Sequence, residues 1–335
     1  MDHSTPRVAI VGGGLAGLSC AQRLQAAGHT VEVFDKGRGP GGRISTRQDE
    51  MAGHFDHGAQ FVTTREPEFE AWVSELVLSG RAVRTTWRLR RPGRSSEALA
   101  QFVGTPGMSA LPAALAVGLT LHPRTRVAAL AHHPDGWRLG LEAGGEAGPF
   151  DAVVVAVPAP QAVTLLTPVA PALASRAAEA RMAPCWAVMA AWAQGLRLGA
   201  DAWEAAHPVL AWAAREGAKA GRAPGERWVL HASAAWSEAH LEAPAELVEA
   251  ALLTALAEVA GQPLPPPTHV RAHRWRYARV TTPLGVDGLF DAGLGLAACG
   301  DWCRGARVED AWLSGWRTAQ LVQAALAPAA RREAG

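Results

Sequence analysis

Two hydrophobic periods organise this chain. Val8-Ala9-Ile10-Val11 is a continuous apolar run rich in β-branched residues, the pattern of a parallel strand buried on both faces. Beyond it Leu18, Ala21 and Leu24 recur at helical spacing up to Gly28, placed where a C′ glycine ends a helix. Thr30 to Phe34 reads as a second strand and Phe150 to Pro158 as another buried parallel one. Arg271 to Arg279 alternates, which puts Arg271, His273, Trp275, Tyr277 and Arg279 on one face if the segment is extended. With Trp186 to Trp192 and Trp228 to Ser233, it predicts an antiparallel sheet. Glu246 to Ala260 predicts a helix ended by Gly261 and the turn from Pro263 to Pro267. Arg88 to Arg94, with Pro92-Gly93 inside it, reads as a solvated hairpin tip.

Between the first strand and the first helix lies Gly12-Gly13-Gly14-Leu15-Ala16-Gly17, a G-x-G-x-x-G with a strand before it and a helix after it. Asp35 closes the second strand about twenty residues on, the position of the acid that takes the adenosine ribose. In such a turn Gly12 permits the tight bend, Gly14 lets backbone approach a pyrophosphate, and Gly17 lets helix and strand pack closely. The helix start supplies free N–H groups and a positive dipole end to the phosphates. The spacing therefore predicts dinucleotide binding by Gly12, Gly14, Leu15, Ala16, Gly17, Asp35 and the adjoining Lys36.

Gly39-Pro40-Gly41-Gly42-Arg43 follows the acid and leads into Ile44-Ser45-Thr46. Here the chain resembles the flavin amine oxidase superfamily, whose FAD-binding members follow the ribose acid with a G-G-R turn. That resemblance implies non-covalent FAD, with Arg43 reaching a phosphate and Gly42 allowing close approach. Phe55-Asp56-His57-Gly58-Ala59-Gln60-Phe61-Val62-Thr63 resembles the segment that passes over the isoalloxazine, which brings in Ala59, Gln60 and Phe61. More narrowly, D-x-G-A-Q-[FY]-x-T resembles the bacterial renalase branch. Gly104-Thr105-Pro106-Gly107-Met108, the segment from Ala232 to Ser237 and the segment from His273 to Ala278 agree with it, so the resemblance covers nearly the whole chain.

The same resemblance places Val127 against the adenine. It also reads Cys299-Gly300-Asp301 and the helix starting near Val308 as the closing element of the FAD site, through Asp301, Arg307, Val308, Glu309 and Ala311. A helix dipole there would stabilise charge that develops on the flavin pyrimidine during reduction.

Composition narrows the chemistry. The chain has 335 residues, enough for about two domains at ~150 residues each. Thirty-two basic residues against 31 acidic ones leave a net charge of +1, which argues against a nucleic-acid groove or a polybasic membrane anchor. No apolar run reaches the roughly 18 residues of a membrane span, and no cleavage-site pattern follows the first strand, so a cytoplasmic protein is expected. Four scattered cysteines do not make a disulfide framework. Cys299 and Cys303 are spaced C-x₃-C rather than as a redox C-x-x-C. His269 and His273 share a strand face without an evident acid partner, so no metal site is expected.

Only Lys36 and Lys219 are lysines, and Tyr277 is the sole tyrosine. Monoamine-oxidase-type relatives use a lysine that reaches flavin N5 through water, together with an aromatic cage. Lys36 follows the ribose acid and Lys219 sits in a Gly/Ala-rich, surface-like stretch, so neither fits that role. Trp275, Tyr277, Gln60 and His231 are the candidates for lining the reaction site, because hydride transfer needs positioning more than acid–base groups.

The expected architecture is α/β, with a doubly wound, Rossmann-type FAD-binding domain built from 1–70, 98–160 and 283–328. It is interleaved with an α+β substrate domain carrying an antiparallel sheet, from 71–97 and 161–282, and 329–335 forms a tail. The renalase branch implies oxidation of isomeric (2- or 6-) dihydro-NAD(P), with O₂ as electron acceptor and hydrogen peroxide as product. An amine oxidase or desaturase, or a non-catalytic FAD-binding redox sensor, are the alternatives.

Overall fold

A computed structural model describes residues 5–91, 93 and 97–327. Pro92, Arg94 and the expected tail at 329–335 lie outside the described residues. The chain divides into two compact units, one of Met1–Gly42, Leu115–Arg181 and Val280–Gly335, the other of Arg43–Ala114 and Met182–Arg279. Residues 43–70 and 98–114 therefore fall in the second unit, and 161–181 and 280–282 in the first, where sequence patterning assigned them the other way round. The periodicity marks elements well but carries no signal for the points at which the chain passes from one unit to the other.

The first unit is built on a six-stranded sheet in the order Leu289–Asp291, Leu296–Ala298, Ala152–Val155, Arg7–Val11, Thr30–Phe34, Thr120–His122. All pairs are parallel except the edge pair Leu289–Asp291 with Leu296–Ala298. The central strands carry no polar side chain inward because both faces are covered, which is why they read as unbroken apolar runs. Helix Leu15–Ala26 and helix Val308–Leu326 pack together so closely that a Cβ on Gly315 would lie 1.8 Å from the carbonyl oxygen of Ala16. Ser19 Oγ adds a hydrogen bond to the Trp312 carbonyl at 2.8 Å. Val127 begins a strand of a separate three-stranded antiparallel sheet.

The second unit is built on a seven-stranded sheet in the order His269–Thr282, Arg181–Trp192, Glu226–Ala232, Leu210–Arg215, Ala202–Glu204, Ala82–Arg90, Glu97–Gly104. Its pairings include antiparallel steps through 181–232 and one parallel step between 82–90 and 202–204. One face is apolar: Trp186, Val188, Trp192, Trp203, Trp228 and Leu230 pack under helix Ala245–Ala260 through Val248, Leu252, Ala255 and Leu256. That helix ends on Gly261 at φ +69°, the left-handed cap expected from sequence. The Ala82–Arg90 and Glu97–Gly104 strands pair antiparallel, which puts Arg88 and Arg90, expected at a hairpin tip, inside a strand, with Arg88 paired to Asp201.

Candidate functional site

In the first unit the glycine turn shows what each glycine is for. Gly12 has φ +115°, and a Cβ there would meet the Ala156 carbonyl oxygen at 2.5 Å. A Cβ on Gly17 would meet the Gly12 carbonyl oxygen at 2.0 Å, so helix and strand touch through it. Gly14 differs: it has φ −76° and a Cβ would meet nothing within 4 Å. Nothing within the protein requires glycine at this position, so the space in front of it is left for something outside the chain. Gly14 caps helix Leu15–Ala26 with no side-chain hydrogen bond and no acid stands in the first turn, so the orphan N–H groups of that turn are not capped by a side chain of the helix itself. Asp35 accepts from the N–H of Gly13 and of Gly37, both at 2.5 Å, which draws the turn and the end of the second strand together. Lys36 is exposed beside it.

The C-terminal element of this unit is equally well defined. Asp301 is buried at the start of the short helix Asp301–Arg304. Val308 opens the last helix, whose N-cap Arg307 donates its backbone N–H to Asp310 at 3.0 Å, while its guanidinium lies 3.4 Å from the buried Glu309. Ala311 is half-buried one turn on, and Val127 is buried. Cys299 and Cys303 are both free and buried; burial raises the Cys299 thiol well above its ordinary pKa and pushes that of Cys303 up to about 12. Neither is a ready thiolate.

In the second unit the turn from Asp56 to Phe61 is fixed at nearly every atom. Asp56 is fully buried and accepts from Thr46 Oγ1 (2.7 Å), the Met108 N–H (2.9 Å), Lys219 Nζ (2.8 Å) and Arg222 Nη2 (2.6 Å). Its own carbonyl accepts from Gln60 Nε2, and the Ala59 N–H donates to the Arg43 carbonyl at 3.0 Å. A Cβ on Gly58 would lie 2.0 Å from that same Arg43 oxygen, so only glycine passes here. The His57 carbonyl accepts from Trp275 Nε1 at 3.0 Å and contacts His231 Nε2 at 3.2 Å. Two buried polar atoms of the turn, His57 Nδ1 and Gln60 Oε1, have no partner.

Around the turn stands the second face of the seven-stranded sheet. His273 and Trp275 meet edge-on with centroids 4.4 Å apart, which confirms that alternate residues of this strand share a face. Arg274 and Arg276 point the other way, to Glu242. His231 lies in register with Trp212, and Phe61 touches both Trp212 and Trp87. Burial leaves the imidazoles uncharged. Desolvation first, then the neighbouring His273 and Arg47, lower His57 to about 3; desolvation lowers His231 to about 4; desolvation and then Arg47 lower His273 to about 4.

The structure thus brings Trp275, His231 and Gln60 of the sequence-predicted residues to one turn, the first two on the His57 carbonyl and Gln60 on the carbonyls to either side of it. Tyr277 lies further along the same strand, half-buried, and Arg43 donates to the Ala278 carbonyl at 3.2 Å. Two expectations are corrected. Lys219 is not in a surface stretch: it is 2% exposed and bridges Asp56 and Glu216 (2.6 Å). His269 does have an acid nearby, Asp49 at 3.6 Å. Sequence reasoning missed His57, Trp212 and Trp87. The signal for Trp212 and Trp87 was alternation in strands never read as such, and nothing local marks Lys219 as buried. Among the described residues no group of three His, Cys, Asp or Glu is arranged to hold a metal, and no helix is long and apolar enough to cross a membrane.

Residues 10–76 match the model of an NAD(P)-binding Rossmann-like domain, and residues 80–323 match that of the flavin containing amine oxidoreductases. The chain belongs to the flavin containing amine oxidoreductase family. FAD is its cofactor and oxidoreduction its class of chemistry, and the open position at Gly14 with its uncapped helix fits the pyrophosphate of that group. Among curated proteins it is 37% identical over 75 residues to the 15-cis-phytoene desaturase of Synechococcus elongatus, covering 22% of this chain and 16% of the desaturase. It is 39% identical over 66 residues to the hydroxyneurosporene desaturase of Cereibacter sphaeroides, covering 20% and 13%. These matches span less than a fifth of either relative. Over 96% of the chain the fold matches a structure from Exiguobacterium sp. 255-15 described as a protoporphyrinogen oxidase (TM-score 0.76, 14% identity, 99% of that chain). It matches putrescine oxidase bound to putrescine over the same share (TM-score 0.68, 14% identity, 99% of that chain).

Proposed function

We propose that this protein is an FAD-dependent oxidase of the renalase type, taking isomeric dihydro-NAD(P) to NAD(P)⁺ in the cytoplasm. The observation that carries the reading is the ring-lined wall of the second unit: Trp275 and the uncharged imidazoles of His57, His231 and His273, none of them paired to a carboxylate, with the Arg47 guanidinium as the charge that acts on His57 and His273. A flat, neutral dihydropyridine ring suits such a surface through stacking and burial. An aliphatic ammonium suits it less, because the Arg47 guanidinium acting on His57 and His273 repels a second cation. The two buried acids nearest this wall, Asp56 and Glu216, are already engaged by Lys219 and Arg222. Lys219 is held by the same pair and is not free to hold a water for amine oxidation.

Gly12, Gly14, Leu15, Ala16 and Gly17 would cradle the pyrophosphate of non-covalently held FAD, with Asp35 and Lys36 at the ribose, Gly42 and Arg43 along the phosphates and Val127 at the adenine. Ala59, Gln60, Phe61, Asp301, Arg307, Val308, Glu309 and Ala311 would complete the flavin end. Bound FAD would supply a two-electron acceptor for the dihydronicotinamide, with O₂ as the final acceptor and hydrogen peroxide as the product. The chain's own part is to stack the ring against Trp275, orient it, exclude water from the wall, and keep His57 and His231 neutral. Tyr277 and Gln60 would flank the ring on the same strand and turn.

The test is anaerobic mixing of the FAD-loaded protein with borohydride-generated NADH isomers. Bleaching of the flavin, followed by peroxide release on admitting air, is expected. Bleaching by amines and not by these isomers would make it an amine oxidase; no bleaching by either would make it a redox sensor.

A further inference from the structure

Asp56, Lys219, Glu216 and Arg222 form a four-charge cluster whose side chains are at most 2% exposed. Two acids and two bases make it neutral as a set. Such a cluster is a poor source of stability, because desolvation offsets much of the Coulomb gain, but it fixes geometry strongly once formed. Here the geometry it fixes is specific. The Asp56 carboxylate ties together Thr46, Met108, Lys219 and Arg222, and Arg222 also donates to the Gly104 carbonyl. The next peptide along is the one whose oxygen meets the Trp275 indole and the His231 imidazole. One residue therefore separates a fully committed carboxylate from the carbonyl that positions two rings of the wall.

We propose that Lys219 is a positioning residue: acting through Asp56, it sets the place of the His57 carbonyl and thereby of Trp275 and His231. This extends the preceding reading, in which those rings face the substrate, but the geometry it asserts does not depend on which substrate is used. Lys219 also spans to Trp87, its Nζ lying 5.8 Å from that ring centroid, so its stem and charge are held from both sides. Glu216 supplies the means of testing it. Burial, partly offset by Lys219, pushes its carboxyl up to about 7, and its Oε2 has no hydrogen-bond partner. Removing the Lys219 charge together with that of Glu216 leaves Asp56 and Arg222 as a neutral pair, so the cluster loses a donor to Asp56 without acquiring a net charge.

The experiment uses FAD-loaded protein labelled with fluorotryptophan, with the Trp275 and Trp203 fluorine resonances assigned from Trp275→Phe and Trp203→Phe. Trp203 lies on the helix-covered face and serves as the reference. In the double variant Lys219→Met with Glu216→Gln, the Trp275 resonance is expected to move while that of Trp203 stays. Flavin reduction should slow by roughly tenfold to a hundredfold at unchanged FAD content, the scale on which an ångström of misplacement acts. A Trp275 resonance that stays in place while the melting temperature falls would overturn the proposal, leaving Lys219 a stabilising residue only. Should the double variant not fold, Thr46→Val removes a different donor to Asp56 almost isosterically. It must then shift Trp275 in the same sense, and an unmoved resonance overturns the proposal equally. If wild-type flavin is not bleached by dihydronicotinamides, the functional reading fails while the resonance result still decides this one.

Discussion

Trp275 donates its indole N–H to the carbonyl oxygen of His57 at 3.0 Å and stacks on the imidazole of the same residue, with ring centroids 5.0 Å apart. A single residue of the turn thus holds the indole by its edge and by its face. Trp275→Ala removes both contacts. We expect FAD content to be retained and flavin reduction to fall by about a hundredfold, as for a lost positioning contact. Stopped-flow bleaching measures it; an unchanged rate would return Trp275 to a packing role. Trp275→Phe should fall between, keeping the ring but not the donor.

The glycines of the fingerprint should separate folding from cofactor binding. Gly14→Ala meets open space and an ordinary φ, so the fold should melt as wild type while FAD affinity drops, measured by flavin fluorescence on titration. Gly17→Ala instead forces Cβ against the Gly12 carbonyl and should cost about 1–3 kcal/mol of stability even without FAD. Equal effects on both properties at both positions would contradict this division.

Acidification should destabilise the second unit. The folded-state pKa values of His57, His231 and His273 lie near 3, 4 and 4, below the ordinary 6.5, so between about pH 6.5 and 4 the unfolded chain binds more protons. The stability that neutral burial allows is present above pH 6.5 and is lost as the pH falls, at up to about 1.4 kcal/mol per pH unit for each group and less for the partly exposed His273. Glu216 runs the other way: its raised pKa favours the native state at low pH and loses that contribution between about 4.5 and 7. Denaturation midpoints from pH 7.5 to 4 should therefore fall overall, and fall more steeply in Glu216→Gln. A midpoint that rises on acidification would refute the assignment of neutral imidazoles.

Asp56→Ala leaves Lys219 and Arg222 buried with Glu216 as the one remaining acid of the cluster. Although burial alone would raise it, those two cations hold the Asp56 carboxyl well below the ordinary range, so it is ionised throughout the working pH. Removing one partner of a buried pair costs about 3–5 kcal/mol. Urea denaturation should show a loss of that order, and a loss below about 1 kcal/mol would mean that the cations find water.

Native thiol titration should label none of Cys20, Cys299 and Cys303, whose burial raises their pKa, until the protein is unfolded. Rapid labelling of Cys299 or Cys303 in the folded protein would reopen a redox role for the C-x₃-C spacing.

Legibility in the sequence followed the range of the interactions. The glycine turn, its flanking strands and the last helix were readable because strand, turn and helix signals are local and fall in the order of a dinucleotide-binding unit. The shared face of His273 and Trp275 was readable from a period of two. Lys219 was misread because its partners are Asp56, 163 positions away, and a loop glutamate whose burial no local pattern reveals. The unit boundaries near 43 and 182 were unreadable for the same reason: what assigns Arg43 to the second unit is a set of contacts to Ala59 and Ala278, not its own neighbours.

The contact of Gly315 with Ala16 has a consequence for how the protein is made. The first helix and the helix that packs on it are joined by a hydrogen bond spanning 293 positions, and the Leu296–Ala298 strand lies about as far along the chain from the Arg7–Val11 strand whose sheet it completes. The two halves of this unit can therefore meet only after the whole intervening chain has been made, and until then apolar strand and helix surface stays exposed. Such long sequence separation slows folding and invites aggregation. Loss of even the final helix should leave the glycine turn intact in sequence and useless in practice.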